Sequence, residues 1–297
     1  RMVDVEALNA LDLLIWLGRG ADAAQRLGCN QTTVSRRSRQ CLDLFGLDVL
    51  RNHEGQCRID RHPLLTQVRE VHQLHRLRQG SGLRIEASLL AAPLLRSPIP
   101  SGWISGHLDG LGRQRPLQML EERILDAWVT GMGQELPERG LEAMRCIPLL
   151  QTPLLLAAEP QHPLHHQGHL RIDDLEGVPR LAPRQGRYPR TEQALGSWRH
   201  RTAPLPLECP PRRQGQMSSR RMASPRLAPL HYGTAFSLAH QTSLQALPLS
   251  LEVQPELTVV MRRDVADSPP MEALIEVLRH RALAAALADQ GVIAVNG

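Results

Sequence analysis

The feature that most constrains this chain is a turn. Gly28-Cys29-Asn30 separates two short stretches with helical spacing near the N-terminus. Before it, Ala23, Ala24 and Leu27 form the buried side of a helix running from about Asp22 to Leu27. After it, Asn30 is a good N-cap for a helix that begins at Gln31. On that helix Val34, Ser38, Cys41 and Phe45 share one face, Thr32, Thr33, Arg36, Arg37 and Gln40 point elsewhere, and Gly46 stops it. Leu8, Leu11, Leu14 and Ile15 predict an earlier amphipathic helix, ended by Gly18 and Gly20. Downstream, Val49-Leu50-Arg51 and Gln56–Ile59 flank a polar turn at Asn52–Gly55 and can pair as a small hairpin. Three helices and a hairpin make a winged helix-turn-helix plan.

Such a plan can read DNA. A recognition helix needs a buried face to hold it, an N-terminus near phosphates and side chains that reach base edges. Gln31, Thr32, Thr33 and Arg36 lie on the first turns, where Arg36 can fork onto guanine and Gln31 onto adenine. The same spacing fits a three-helix packing module with a solvated polar face equally well. Charge adds modest support. Residues 1–80 hold 12 arginines against 9 acids, and residues 184–226 hold 10 against 2, within a total of +5. The second excess coincides with many prolines and fits a solvated segment as well as an anion-binding surface. All 35 basic residues are arginine. Lysine's absence even from solvated positions points to codon bias and not to a site.

The remaining 215 or so residues read as an α/β domain, and a chain of 297 residues can bury two cores. Pro63 suits the first turn of a helix ending at Gln79, with Leu64, Val68, Val71 and Leu74 as its apolar side. Gly80-Ser81-Gly82 reads as a linker. Leu83, Ile85 and Ala87 alternate with Arg84 and Glu86 as in a strand. A helix near Leu117–Glu122, strands near Leu125–Val129, Leu154–Ala158, Leu249–Val253 and Leu257–Met261, and a final helix after Ser268 with Met271, Leu274, Ile275 and Leu278 inside complete the pattern.

Several chemistries lack support. Gly18-Arg19-Gly20-Ala21-Asp22-Ala23 matches G-x-G-x-x-A, but Gln31–Gln40 is too polar for the second buried strand that a dinucleotide fold requires. His162, His165, His166 and His169 read as a surface loop, because no carboxylate or thiol stands at ligand spacing. The five cysteines form no C-x-x-C pair, which fits reduced thiols. No P-loop, G-x-S-x-G or H-E-x-x-H occurs, so no enzyme, metal or cofactor is expected. No 18-residue apolar run exists and Arg1–Leu11 has no signal-peptide core, so a cytoplasmic protein that does not span a membrane is expected.

Ordered motifs add a resemblance. Ala23-Ala24-x-x-Leu27, then Gln31-x-x-Val34-Ser35-Arg36, then Gly46 and Val49-Leu50 resemble the N-terminal head of LysR-type transcriptional regulators. Leu83-Arg84-Ile85-Glu86-Ala87-Ser88 looks like the first effector-domain strand of that family, and Leu125-Asp126 like its "LD". His162-Pro163-Leu164 with Asp174-Leu175-Glu176-Gly177 resembles its "HPL…DLxG" stretch, and Tyr232-Gly233-Thr234-Ala235 sits where it has "LGIA".

The resemblance implies an α/β fold with a winged head. It divides the chain into a winged helix-turn-helix at 1–60, a linker helix at 61–82 and a periplasmic-binding-protein-like α/β effector domain at 83–297, whose second lobe spans about 161–240. Double-stranded DNA would meet Gln31, Thr32, Thr33, Ser35 and Arg36 in the groove and Arg51, Asn52 and His53 at the wing. A small-molecule effector, often an anion in such proteins, would meet Ser88, Arg184 and Gly186. A homodimer or homotetramer is implied. The departures are Ala21 in place of a capping Thr or Ser, with Asp22 as substitute, Ser38 and Cys41 on the buried face of the recognition helix, a short linker without "TEAG", and Pro225 and Pro229 where a helix is expected. They motivate the alternative of a small-molecule-binding protein with a degenerate head.

Overall fold

The computed structural model describes residues 4–51, 57–96, 98–110, 112–138, 141–182, 186–196, 203–206, 228–241, 243–288 and 293–295. Asn52, His53 and Arg184, together with Pro225, lie outside these residues.

Three helices open the chain. Asp4 caps α1 (Val5–Leu17) by accepting the Glu6 N–H at 3.0 Å. Next come α2 (Gly20–Leu27) and α3 (Gln31–Phe45), with Gly28 between them at a φ of 62°, a left-handed conformation that favours glycine. Asn30 caps α3 as its sequence predicts, its Oδ1 accepting the Thr33 N–H at 2.8 Å. α2 starts two residues earlier than its spacing suggests, and no side chain caps it. Asp22 therefore does not take the capping role; it lies inside the first turn, 3.3 Å from the His107 ring. The hairpin forms as expected: β1 (Leu50–Arg51) pairs antiparallel with β2 (Cys57–Arg58). Because Leu13–Leu17 are helical, the G-x-G-x-x-A match has no strand before it.

α4 (Pro63–Gln79) leads into a mixed sheet of six strands. In chain order these are β3 (Leu83–Ala87), β4 (Trp103–Ser105), β5 (Ala127–Thr130), β6 (Met144–Gln151), β12 (Glu256–Arg262) and β13 (Ile293–Ala294). β3 runs parallel to β4 and β5, whereas β12 is antiparallel to β5 and β6. α5 (Pro93–Arg96) and α6 (Gln114–Glu121) lie between the first strands, and α9 (Pro269–Ala288) follows β12. A smaller sheet joins β7 (Leu154–Ala158) to β10 (His231–Thr234) and β11 (Gln245–Ser250); β8 (Pro179–Ala182) pairs with β9 (Ala203–Pro206) beside it. α7 (Pro189–Ala194) and α8 (Ala235–Leu238) complete the elements. The final helix buries Met271, Leu274, Ile275 and Leu278, the face read from its spacing. β5 starts two residues later than expected, because Leu125-Asp126 form a buried connection in which Asp126 turns its carboxylate toward α4. β11 lies earlier than expected and is followed by Glu252 at a φ of 53°. Cys29, Cys41, Cys57 and Cys146 are free thiols. Among the described residues, no helix is long and apolar enough to cross a membrane.

The largest departure from sequence pattern is α4, which buries its polar side. Leu64, Val71 and Leu74 are 59, 69 and 51% exposed, while Arg69, His72, Gln73 and Arg76 are buried. The cause is a set of carboxylates supplied by other elements. Arg69 donates to Asp12 of α1 at 2.8 Å and to Glu122 at 3.3 Å. Arg76 and Gln73 both donate to Asp126, at 2.8 and 2.9 Å. Arg84 of β3 closes the network by donating to Asp12 at 3.2 Å and Asn9 at 2.7 Å. Ions taken out of water cost several kcal/mol each unless paired, so only the paired face of α4 can go inside. The same packing makes the head share a core with the large sheet: Leu8, Leu11, Trp16 and Leu65 pack with Leu120, Ile124, Trp128 and Val260.

Two titrations follow from this burial. Burial pushes the Asp12 carboxyl up, but Arg69, Arg84 and Arg76 together outweigh it and hold it below its usual 3.8. Burial, with Arg76 and Arg84 alongside, pushes the His72 imidazole down to about 4, despite the opposing pull of Asp12 and Asp126. In the unfolded chain His72 protonates near its usual 6.5. As pH falls from 6.5, the unfolded state therefore takes up that proton first, and stability is lost down to about pH 4. The urea midpoint is expected to fall across that window, and His72→Gln to flatten the slope. An identical slope in the variant would show that other groups set it.

Candidate nucleic-acid interface and effector cleft

The recognition helix is held from behind. Val34, Ser38, Cys41 and Leu42 are buried, so α3 packs against α1 by one face only. Thr32, Ser35 and Arg36 are exposed away from that face, Gln31 is exposed at its edge beside α2, and Thr33 is half-buried with its N–H engaged by the cap. The Gln31 side chain lies over Gly20, where an added Cβ would come 2.9 Å from its Cγ. Glycine at that position lets the start of α3 seat closely on α2. Arg36 forms no ion pair among the described residues, whereas Arg37, one residue on, is tied to Glu6. Arg51 is exposed on β1. The buried Ser38 hydroxyl has no partner among the described residues, a cost of about 1–3 kcal/mol to the head.

The second group of expected residues surrounds the ends of β3 and β5. Ser88 is 4% exposed, and its hydroxyl accepts the Gly131 N–H at 2.7 Å. Its own N–H donates to the Val129 carbonyl at 2.9 Å. Gly186 is exposed, with its N–H on the Glu192 carboxylate at 2.8 Å. Sequence reasoning missed Glu135, the group that ties the turn after β5 to the start of α7. It is 2% exposed, and it accepts the Thr191 N–H at 2.6 Å and the Arg190 N–H at 3.2 Å at the start of α7. Around it, Gln134 reaches the Thr191 hydroxyl at 3.3 Å, and the Tyr188 hydroxyl accepts the Gly112 N–H at 2.8 Å. Arg113 lies 3.6 Å from the Glu135 carboxylate. The Arg190 and Thr191 amides at the start of α7 are thus held by the chain's own carboxylate. The only sequence signal for this was Pro189, a residue favoured at the first turn of a helix.

His162 is buried, and its Nδ1 accepts the Leu164 N–H at 3.3 Å within a short turn over Pro163–His166. Among the described residues, no cluster of three His, Cys, Asp or Glu is arranged to hold a metal ion.

The fold and family have known counterparts. The family model of the LysR substrate binding domain matches residues 107–283. No curated protein matches the chain. Among solved structures, a full-length OxyR variant from Pseudomonas aeruginosa is similar over 100% of both chains at 15% identity, with a TM-score of 0.52. ArgP from Mycobacterium tuberculosis is similar over 94% of this chain and 97% of its own at 17% identity, with a TM-score of 0.51. At such identities the two structures speak to the fold, and the fold they share extends from the winged head to the final helix. The family match covers more than half of the chain, and the protein belongs to the LysR-type transcriptional regulators.

Proposed function

We propose that residues 1–60 bind double-stranded DNA in the major groove through Gln31, Thr32, Thr33, Ser35 and Arg36, with the wing at Arg51, Asn52 and His53 near phosphates. Residues 61–82 form the linker, and residues 83–297 bind a small-molecule effector between two lobes near Ser88, Arg184 and Gly186. The observation that carries this reading is the combination of a capped, rear-packed α3 with an outward group of Thr32, Ser35 and Arg36. The alternative is a small-molecule-binding protein with a degenerate head; it predicts effector binding without a selected DNA site, because a head that shares its core with the sheet is kept folded in either case. The protein binds its effector without turning it over and works in the cytoplasm, where the DNA is. It acts as a homodimer or homotetramer, for which Leu64, Val71 and Leu74 along α4 offer an apolar stripe to a second copy. The effector proposed for the site near Ser88, Arg184 and Gly186 is an anionic small molecule.

Selection from a random duplex pool at low and physiological salt tests the reading. A dyad motif that survives physiological salt is expected, and Arg36→Ala should lose about 1–3 kcal/mol of discrimination at one base position. Sequence-blind binding that vanishes with salt would reduce the head to phosphate attraction. In the cleft, Glu135→Ala should leave the Arg190 and Thr191 amides unpaired and cost about 1–3 kcal/mol, with faster hydrogen exchange at both. Unchanged exchange there would remove Glu135 as the inter-lobe tie.

A further inference from the structure

The head meets the large sheet along one strand. Alternate residues of a strand share a face, and on β3 that face holds Arg84 and Glu86, with Ser88 one step beyond. Arg84 donates to Asp12 and Asn9 of α1. Glu86 accepts the Trp16 indole N–H of the same helix at 2.9 Å on one oxygen. Its other oxygen takes the Ala87 and Leu108 N–H groups at 3.1 and 3.0 Å. Ser88 holds Gly131 where the strands open on the effector cleft. Gly106 makes the Glu86 contact possible: a Cβ there would lie 1.9 Å from the Glu86 carboxylate and 2.9 Å from Trp16 Nε1. Other bonds close the same seam. Arg115 of α6 donates to the carbonyls of Ile15 and Cys57, and Arg26 of α2 to the Ser105 carbonyl at 2.6 Å.

We propose that Glu86 is a positioning residue for DNA recognition, which through Trp16 fixes the winged head on the strand that ends in the effector site. The inference rests on the regulator reading given above. Glu86 touches neither DNA nor effector. α3 packs on α1, so any tilt of α1 carries the outward group of α3 with it. Ser88 and Glu86 are two residues apart, about 7 Å along the strand. A ligand that shifts the end of β3 therefore acts on the seat of Trp16 with no hinge between them. α4, whose inward side is bonded to Asp12, Glu122 and Asp126, leaves the head no free arm on which to swing. The head is accordingly aimed by its own first lobe.

The test uses the full chain and the variants Trp16→Phe, Glu86→Gln, their combination and Gly106→Ala. Hydrogen exchange is read first, because it needs neither operator nor effector. Each single variant is expected to speed exchange about tenfold both in α1 and across 83–108, the loss of one bond to a charged group. The combined variant should be no worse than Glu86→Gln alone, since a Gln that keeps its one acceptor oxygen on the Ala87 and Leu108 N–H groups turns its NH2 to the indole and has already lost the Trp16 bond. Exchange that rises in the head alone, with 83–108 unchanged, would overturn the coupling. The second readout is binding to duplexes carrying two selected half-sites at spacings varied one base pair at a time. Wild type should prefer one spacing, and Trp16→Phe and Gly106→Ala should flatten that preference while affinity for a lone half-site holds. A packing role alone would weaken half-site and paired-site binding together, and a preference retained in both variants would sink the proposal. A wild-type chain that selects no site would fail the regulator reading instead, while hydrogen exchange still decides whether head and lobe are coupled.

Discussion

Two buried carboxylates hold this molecule together. Asp12 of α1 accepts Arg69 from the linker helix and Arg84 from the first strand of the sheet. Asp126 accepts Gln73 and Arg76 from the same linker helix and the backbone N–H of Arg84 at 2.7 Å. Head, linker and sheet are therefore cross-bonded at one place, and each partner would strand a buried charge if it moved away. Removing one member of such a pair costs about 3–5 kcal/mol, although an apolar replacement of the whole set is often no less stable. The network is thus better understood as fixing an arrangement than as adding stability. It dictates which side of α4 faces inward, and hence that Leu64, Val71 and Leu74 face out.

The arginine-only composition has a different meaning in this network than on the surface. Codon bias accounts for arginine at solvated sites, where lysine would serve equally well. At Arg84 one nitrogen donates to both Asp12 and the Ile124 carbonyl while another reaches Asn9, and at Arg115 two nitrogens take two separate carbonyls of the head. A planar fork with several fixed donors can do this, whereas an ammonium is a compact, strongly hydrated point charge. A sequence bias thus supplied the side chain that this interface uses.

Local structure was legible from the chain because it depends on near neighbours. The Asn30 cap, the Gly28 turn, the wing hairpin and the buried face of the last helix all rest on residues within a few positions of one another. The face of α4 was not legible. Its apolar spacing points one way, and the carboxylates that overrule it come from Asp12 and Asp126, about fifty residues away on either side. The candidate site divides along the same line. The outward placing of Thr32 and Arg36 follows from helix period, and exposure matches it; Gln31, on the side of Val34 and Ser38, is exposed beside α2 instead. The tie from Glu135 to α7 depends on the turn after β5 meeting the start of that helix, and no local pattern in the sequence encodes that approach.

The cleft and the head are joined by the same few strands. Glu135 follows β5 closely in the chain, and β5 pairs with β3 through Ala87 and Val129. Gly131, between β5 and Glu135, is the donor to Ser88. The segment from Gly131 to Glu135 is thus bonded both to the end of β3 and to the start of α7. From there one strand face leads to the head, with Ser88 on Gly131, Glu86 on Trp16 and Arg84 on Asp12, and it is the route proposed above for coupling effector to DNA. Because interiors are packed and paired, such a face shifts between discrete arrangements and does not bend smoothly. A regulator built this way needs no long arm to convert occupancy of its cleft into a new aim for its recognition helix.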